Sequence, residues 1–343
     1  MAKSDLKTIT LGVIAWNEEE FLPGLLNDVM AQTYPHDRME VVLVDGGSTD
    51  ATRELMQEFA NRNADIFLRV VVRDNPKRTQ PCGWNIVLEH AAGDVIFRVD
   101  AHASIPPDFV AKNMDNIAGG EMVAGGQRLN LMDDSTAWNH TLNAVETSPF
   151  GSGAARYRRS GEKEYVKSMF HAAYRKEVFE MVGGFDERLI RTEDNELHYR
   201  IRSAGYKLLY DPDVVSYQYT RSNLKKMLQQ KYANGYWVGL TVGVCPKCLS
   251  LHHFVPFAFL MILLVATVMA AFVSIWPLVT LMGVYFAAAV AMTVYAAVKE
   301  GFKIPFLLMP FLFFILHIVY GIGTLIGLVY MNFWKRRAGG AGN

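Results

Sequence analysis

The stretch Val95-Ile96-Phe97-Arg98-Val99-Asp100-Ala101-His102 decides how the N-terminal part of this 343-residue chain folds. An apolar, largely β-branched run ends abruptly in an acidic residue, a small residue and a histidine. A buried parallel strand presents polar groups in this way at its carboxyl end, where α/β sheets place their sites. Side chains alternate with period two along an extended chain, so Asp100 and His102 are expected on one side. An oxygen and a nitrogen on one side can share a divalent metal. The plainer alternative is a strand end carrying two solvated polar residues.

Upstream, Thr8 to Ala15 reads as an apolar strand followed by Trp16-Asn17-Glu18-Glu19-Glu20. These acidic residues open a helix from about Phe21 to Gln32, at the positive end of its dipole. Glu40 to Val44 reads as a second strand ending in Asp45-Gly46-Gly47-Ser48-Thr49-Asp50, where Ser48 or Asp50 can cap a helix from about Ala51 to Asn63. Phe67 to Val72 is a third strand, and a helix over Gly83 to Ala91 leads into the Val95 strand. The alternation predicts an α/β fold, a mainly parallel sheet with helices on both faces. Glycines after the second strand let the backbone approach a ligand, and Asp45 supplies an acceptor for an N–H or a ribose hydroxyl. A tight capped turn explains Gly46 to Asp50 equally well. No Gly-x-Gly-x-x-Gly opens the sequence, which disfavours a dinucleotide-binding oxidoreductase.

Downstream the pattern is less regular. Glu121 to Leu131 reads as a strand pair or a strand and turn, Phe150-Gly151-Ser152-Gly153 as a flexible loop, Met169 to Tyr174 as a strand and Arg175 to Met181 as a helix. Gly183-Gly184-Phe185-Asp186 breaks the chain. Thr192 can then cap a helix from about Glu193 to Ser203, whose acidic first turn is explained by the helix dipole alone.

The 34 basic and 34 acidic residues balance, which argues against a dedicated nucleic-acid binder. Three cysteines make no even disulfide framework, and a zinc site at Cys245 and Cys248 would need two further ligands, for which His252 and His253 are the neighbours. A reducing setting fits better. Phe254 to Val298 contains no charged residue, and a second uncharged run extends from Ile304 to Trp334. Since a span needs about 20 apolar residues, helices are expected at about 254–276, 277–298 and 304–330, with a hinge at Trp276-Pro277. No signal peptide is expected at the N-terminus. The domain plan is therefore a cytoplasmic domain over 1–220, an amphipathic membrane-surface linker over 221–253, membrane helices over 254–334 and a basic tail over 335–343. Lys225, Lys226, Lys231 and Lys247 flank the membrane as the positive-inside rule expects. Three spans would place Lys335-Arg336-Arg337 outside; Pro305 and Pro310 suggest instead an interfacial or re-entrant piece from Ile304, which leaves an even number of crossings and a cytoplasmic tail. His317 is expected as a packed interior histidine.

Taken in order, Trp16-Asn17-Glu18-Glu19, Val44-Asp45-Gly46-Gly47-Ser48-Thr49-Asp50, Gly83-Trp84-Asn85, Gly93-Asp94, Val99-Asp100-Ala101-His102, Gly183-Gly184-Phe185-Asp186 and Glu193-Asp194 resemble an inverting family-2 glycosyltransferase with the GT-A nucleotide-sugar fold. Asp-Ala-His, Phe150-Gly151-Ser152-Gly153, Arg191-Thr192-Glu193-Asp194-Asn195-Glu196 and Arg221-Ser222-Asn223-Leu224 resemble members that serve exopolysaccharide (succinoglycan) assembly. The stretch Val166 to His171 departs from that pattern, in which an acidic residue near Lys167 and a glycine near His171 are expected. The resemblance implies a UDP-sugar site formed by Trp16, Asn17, Glu19, Asp45, Arg78, Asn85 and Asp100, with Trp16 stacked on uracil, Asp45 bonded to the base and Arg78 near the diphosphate. It implies Mn²⁺ or Mg²⁺ on Asp100 and His102, with the imidazole favouring Mn²⁺. It implies Asp194 as general base and Glu193, Gln230 and Trp237 on the acceptor side.

The implied acceptor is a polyprenyl-diphosphate-linked saccharide, and the implied location is the inner (plasma) membrane, multi-pass, with the catalytic domain cytoplasmic. Processive relatives carry Gln-x-x-Arg-Trp where this chain has Gln229-Gln230-Lys231-Tyr232-Ala233-Asn234-Gly235-Tyr236-Trp237, and only seven residues precede the first strand. Both points favour addition of one sugar. The same stretch reads as an interfacial helix, with lysines at the headgroups and Tyr232, Tyr236 and Trp237 at the interface. The alternatives are a polyprenyl-phosphate sugar synthase and an inactive nucleotide-sugar-binding subunit of a glycolipid transporter.

Overall fold

Ile9, Leu11 and Val13 point to one side of the first strand and pack with Leu22, Leu25 and Val29, while Val42, Val44 and Ile96 of its neighbours point to the other side and pack with Trp84 and Val87. That period-two division of apolar residues makes a sheet that is buried on both faces. In the computed structural model β1 (Ile9–Ala15), α1 (Leu22–Met30), β2 (Met39–Asp45), α2 (Thr52–Asn63), β3 (Arg69–Asp74), α3 (Gln80–His90) and β4 (Val95–Asp100) alternate as the sequence predicts. They are followed by β5 (Ala103–Ser104), α4 (Phe109–Ala118), β6 (Val123–Leu131), α5 (Ala137–Thr147), β7 (Glu164–Val166), β8 (Ala172–Arg175), α6 (Lys176–Val182), α7 (Glu193–Ser203) and β9 (Leu208–Tyr219). The helical remainder comprises α8 (Leu224–Thr241), α9 (Val255–Phe272), α10 (Trp276–Glu300) and α11 (Met309–Gly340). The structure describes residues 7–132, 136–151, 161–219 and 223–340, with backbone alone over 335–340. Ser152-Gly153, Arg221-Ser222, residues 341–343 and the side chains of the basic tail lie outside the described residues.

The strand order is β3-β2-β1-β4-β8-β6-β9-β5, with β7 on β9. The first four strands are parallel. The other half is mixed: β8 is antiparallel to β4 and β6, β9 is parallel to β6, and β5 and β7 run antiparallel to β9. Winding proceeds outward from β1 to β3 and then returns to β4 on the other side of β1. The β1/β4 crevice is therefore the topological switch point, where open α/β sheets bind ligands at the carboxyl ends of their strands.

Several expectations are corrected. The Glu121–Leu131 stretch holds a single strand, β6 (Val123–Leu131), rather than a pair; its register with β9 shifts between Gly126 and Gln127. The extra residues lie on β9 around Pro212, whose ring a regular ladder does not accommodate. β4 stops at Asp100, and Ala101-His102 turns into β5, so strand alternation does not place His102. Thr192 takes the N-cap position of α7 but makes no side-chain capping bond. At α2 the cap is supplied by two neighbours: Ala51 N–H donates to Glu19 Oε2 at 2.9 Å and Thr52 N–H to Asp50 Oδ1 at 3.0 Å.

The chain divides into two compact units, one of residues 1–131 and 159–219, the other of 132–158 and 220–343. Nothing in the sequence pattern separated 132–158 from the first. In the second unit α8 and α11 touch backbone to backbone. A Cβ on Gly239 would lie 2.6 Å from the Thr324 carbonyl oxygen, and one on Gly327 2.1 Å from the Tyr236 carbonyl oxygen. Gly235, Gly239 and Gly243 recur every fourth residue, the small-residue spacing that lets helices approach closely in lipid. Lys231 is buried, 3.5 Å from Glu146, rather than at a headgroup level. His317 is packed as expected, its ring nitrogens 2.8 Å from the Tyr285 hydroxyl and 2.8 Å from the Phe150 carbonyl oxygen. Three stretches, Leu251–Phe272, Trp276–Glu300 and Ile304–Trp334, are long and apolar enough to cross a membrane. The last is carried mainly by the continuous helix α11.

Candidate active site

The loops after β1 and β2 are stitched together. Asn17 N–H donates to Ser48 Oγ at 2.9 Å, Thr49 N–H to Asn17 Oδ1 at 2.8 Å, Glu18 N–H to Thr52 Oγ1 at 2.8 Å and Glu19 N–H to Asp50 Oδ2 at 3.2 Å. Asn17 sits at φ 54°, a left-handed conformation that asparagine tolerates better than most residues. This turn leaves the Trp16 indole 62% exposed over the crevice, against Gly46. Asp45 is buried and its carboxylate accepts from Gly47 N–H at 3.0 Å and Ser48 N–H at 3.2 Å. A carboxylate has about four acceptor positions, so capacity remains for a ligand donor. Arg78, at φ 55°, lays its guanidinium on Gly47, where a Cβ would stand 2.8 Å from Nε. Tryptophan, asparagine, aspartate and arginine thus rim one opening.

Asp100 ends β4, buried. Burial alone would raise its pKa, but the Arg98 guanidinium above all holds it below the ordinary value. Its Oδ1 has no hydrogen-bond partner, although buried. An anionic oxygen left so is costly unless a cation completes it, which makes the residue a fit ligand for a divalent metal. His102 Nδ1 lies 3.2 Å from Glu18 Oε1, and its Nε2 lies 2.8 Å from the Gln218 side-chain nitrogen. Gln218 Oε1 in turn accepts from Arg128, which stacks at 4.4 Å on the Phe170 ring. His171, where a glycine was expected, lies beneath: its Nε2 accepts from Asp100 N–H at 3.4 Å and its Nδ1 meets Ser216 Oγ at 2.9 Å. Burial drops its pKa to about 3, so it stays neutral. Among the described residues no group of three His, Cys, Asp or Glu side chains is gathered as a metal cage. Metal binding here therefore needs oxygens from the substrate as well.

Arg98 points the same way as Asp100 from β4, into the layer formed by α3 and α7. Its guanidinium lies 5.0 Å from the Trp84 ring centroid and 5.8 Å from that of Phe185, with Glu193 Oε1 at 3.5 Å. Glu193 and Asp194 open α7 beside it. Burial pushes both carboxyls up, and Arg98 opposes the rise. Glu193 is fully buried, whereas Asp194 is half-buried. A half-open carboxylate with a raised proton affinity is chemically suited to take a proton from a ligand.

Asn85 and the Gly183-Gly184-Phe185-Asp186 break form a clasp. Asn85 Oδ1 accepts from Phe185 N–H at 2.7 Å and its Nδ2 donates to Phe185 O at 2.9 Å. A Cβ on Gly184 would stand 2.5 Å from Asn85 Oδ1, and Gly183 has φ 78°. Arg200 bonds Gly184 O at 2.7 Å and Glu196 Oε1 at 2.7 Å. Asn85 thus uses both ends of its amide to hold Phe185 under Arg98, and its Nδ2 also donates to Glu187 Oε1 at 3.1 Å. Gln230 and Trp237 belong to the second unit. Gln230 is exposed, and Trp237 meets Trp334 edge-on with centroids 6.0 Å apart. A cavity of about 340 Å³ lined by Lys7, Tyr34, Met114, Ile117 and Arg175 lies at the amino ends of the strands, away from the crevice.

Sequence reading passed over Glu18, Arg98, Arg128, His171 and Gln218. Arg98 carried a usable signal: a charged residue inside a buried strand needs partners. Glu18 lay inside a recognised motif. Arg128, His171 and Gln218 sit on strands that the sequence pattern rendered poorly, and local spacing does not join them.

The geometry agrees with what similarity searches return. The profile of glycosyl transferase family 2 matches residues 10–183. The chain is 31% identical over 221 residues to the succinoglycan biosynthesis protein ExoA of Rhizobium meliloti, covering 64% of this chain and 65% of that protein. It is 25% identical over 335 residues to the dolichyl N-acetyl-α-D-glucosaminyl phosphate 3-β-D-2,3-diacetamido-2,3-dideoxy-β-D-glucuronosyltransferase of Methanococcus voltae, covering 94% of this chain and 98% of that one. Among solved structures, the mannosyltransferase PcManGT of Pyrobaculum calidifontis, in complex with GDP-Man and Mn²⁺, superposes with a TM-score of 0.58 at 20% identity, over 93% of this chain and 87% of that one. A switch-point crevice on a GT-A-like sheet, with a family match across half the chain, makes this protein a glycosyltransferase that belongs to family 2.

Proposed function

We propose that this enzyme moves a hexose, glucose foremost, from a UDP-sugar to a polyprenyl-diphosphate-linked saccharide, inverting the anomeric centre, at the cytoplasmic face of the inner (plasma) membrane during exopolysaccharide assembly. The observation that carries the reading is the placement of Asp194, half-buried at the start of α7, on the same sheet face as the incompletely bonded Asp100, with both carboxyls acting electrostatically on Arg98. Trp16 stacks on the base, Asp45 accepts from it, and Arg78 neutralises diphosphate charge. Asp100 and His102 are the residues that would hold Mn²⁺ or Mg²⁺. Such an ion supplies Lewis-acid stabilisation of the departing nucleoside diphosphate.

Asp194 takes the proton from the acceptor hydroxyl. The hydroxyl oxygen bonds to the anomeric carbon on the face opposite the diphosphate. The bond from that carbon to the diphosphate oxygen breaks, and UDP leaves with its electron pair. One base on the far face gives inversion, so an α-linked donor yields a β-linkage. Names of the relatives support a lipid-linked acceptor: the Methanococcus protein is named for a dolichyl phosphate sugar, and a Pectobacterium transferase 28% identical over 173 residues is named for undecaprenyl phosphate. The three long apolar helices support a membrane location.

The test is UDP release by membranes containing the protein, with Mn²⁺, a panel of UDP-hexoses and lipid-linked acceptors, and Asp194→Asn alongside. Acceptor-dependent release that disappears in the variant supports the reading and names the donor. Release that survives the variant points to a phosphate acceptor, which needs no base. UDP binding without release from any donor points to a binding subunit.

A further inference from the structure

Four residues around the β1/β4 crevice form a one-way chain of hydrogen bonds. Arg128 carries only donors. It faces Gln218, so the glutamine must turn its oxygen to Arg128 and its NH₂ to His102. That NH₂ lies 2.8 Å from His102 Nε2, which must therefore accept and carry a lone pair. The ring proton is then on Nδ1, which faces Glu18 Oε1 at 3.2 Å. The direction is enforced at both ends, by a cation that can only donate and a carboxylate that accepts. A carboxylate on one ring nitrogen is the arrangement that fixes tautomer and orientation in metal-ligating histidines. The pairing of β5 with β9 sets Ala103 opposite Gln218, and Tyr219 N–H donates to His102 O at 3.1 Å, so both ends of the His102–Gln218 contact rest on backbone ladders.

We propose that Glu18 orients His102 for a divalent cation, and that Gln218, aimed by Arg128, covers the ligating Nε2 until the cation displaces it. This rests on the metal reading of Asp100 and His102 given above. The two neighbours then have opposite effects. Glu18 makes the imidazole a better ligand by holding Nδ1–H. Gln218 competes with the cation for the same lone pair. Glu18 and Gln218 are positioning residues; neither is required to touch the sugar.

The experiment is Mn²⁺ titration of the full-length protein in detergent, read by electron paramagnetic resonance, with pulsed detection of ¹⁴N coupling to report an imidazole on the bound ion. Asp100→Asn and His102→Ala should both weaken binding, and only His102→Ala should erase the ¹⁴N signal. Glu18→Ala should weaken binding about 10–100-fold, with Glu18→Gln, which keeps an acceptor oxygen, losing less. Gln218→Ala should tighten binding by about two- to tenfold, the worth of one net hydrogen bond. Wild-type affinity in Glu18→Ala beside a weakened His102→Ala overturns the role of Glu18. Weaker binding in Gln218→Ala overturns the covering role. If wild type binds no Mn²⁺, or Asp100→Asn and His102→Ala bind as wild type does, the metal reading fails instead, and the proposal fails with it. Unchanged thermal unfolding of each variant separates these outcomes from misfolding.

Discussion

The two halves of the sheet manage polar groups in opposite ways. In the parallel half, β3-β2-β1-β4, the loops beyond β1 and β2 carry polar groups that bond to each other, and Trp16 at their tip is 62% exposed. At the junction with the mixed half, polar groups lie within buried strands and under α7: Arg98 is 4% exposed, His171 2% and Glu193 2%. Loop groups in water cost little to place and adapt to a ligand. Buried ones are costly unless paired, and an electrostatic interaction there is far stronger than in water. The comparison teaches that this crevice joins a wet wall suited to recognition to a dry wall suited to setting charge.

The largest expected effect is at the dry wall. Asp194→Asn keeps shape and removes the base, so kcat should fall about 10²–10⁴-fold, the usual worth of a general base, while donor KM holds. Acceptor-dependent UDP release measures both. Equal loss of donor binding would mean that Asp194 is part of the wet wall and would erase the contrast.

Arg98→Met comes next. It leaves Glu193 buried without its cation, and breaking one side of such a pair costs about 3–5 kcal/mol. Thermal unfolding should show the loss, and Arg98→Met with Glu193→Met should recover part of it. A single variant as stable as wild type would show that the guanidinium is held by the Trp84 and Phe185 rings alone. At the wet wall the change is smaller and of another kind. Trp16→Ala should weaken donor binding by about 1–3 kcal/mol, the worth of one base–aromatic stack, with little change in kcat at saturation or in stability. Isothermal titration with UDP reads the first and thermal unfolding the last.

The same contrast explains what the sequence disclosed. From Thr8 to Asp100 each strand runs straight into the loop that carries its polar residues, so motif and structure share one stretch of chain. Helix α7 was readable over Glu193–Ser203 for the same reason. Strand β9 was not: Asp211-Pro212-Asp213 has the composition of a turn and is here a bulge within a ladder. Without β9, neither Gln218 against His102 nor Ser216 against His171 could be foreseen, since 116 and 45 residues separate them in sequence. The glycine spacing of α8 is visible in the sequence but does not by itself mark a packing seam. What identifies it as a packing seam is Gly323 and Gly327 on α11, far along the chain.

The finest test of the contrast is the pH dependence of turnover. On the wet wall Asp50 is held below the ordinary aspartate: desolvation raises it, but bonds from the Thr52 hydroxyl and the Thr52 and Glu19 N–H groups together outweigh that. On the dry wall Asp194 is pushed up, by burial first, with Arg98 pulling down and Asp100 pushing up. A base works only when deprotonated, so the rate falls as pH drops through its pKa. The acid limb of kcat should therefore lie above the ordinary aspartate value of about 3.9. His171, held neutral with a pKa of about 3, adds no limb in that range. Because Arg98 opposes the rise, Arg98→Met should move the limb to still higher pH, whereas Asp50→Asn should leave it in place. The measurement is kcat against pH at saturating donor, acceptor and Mn²⁺. A limb that moves down in Arg98→Met, or follows Asp50, would place the titrating group on the wrong wall.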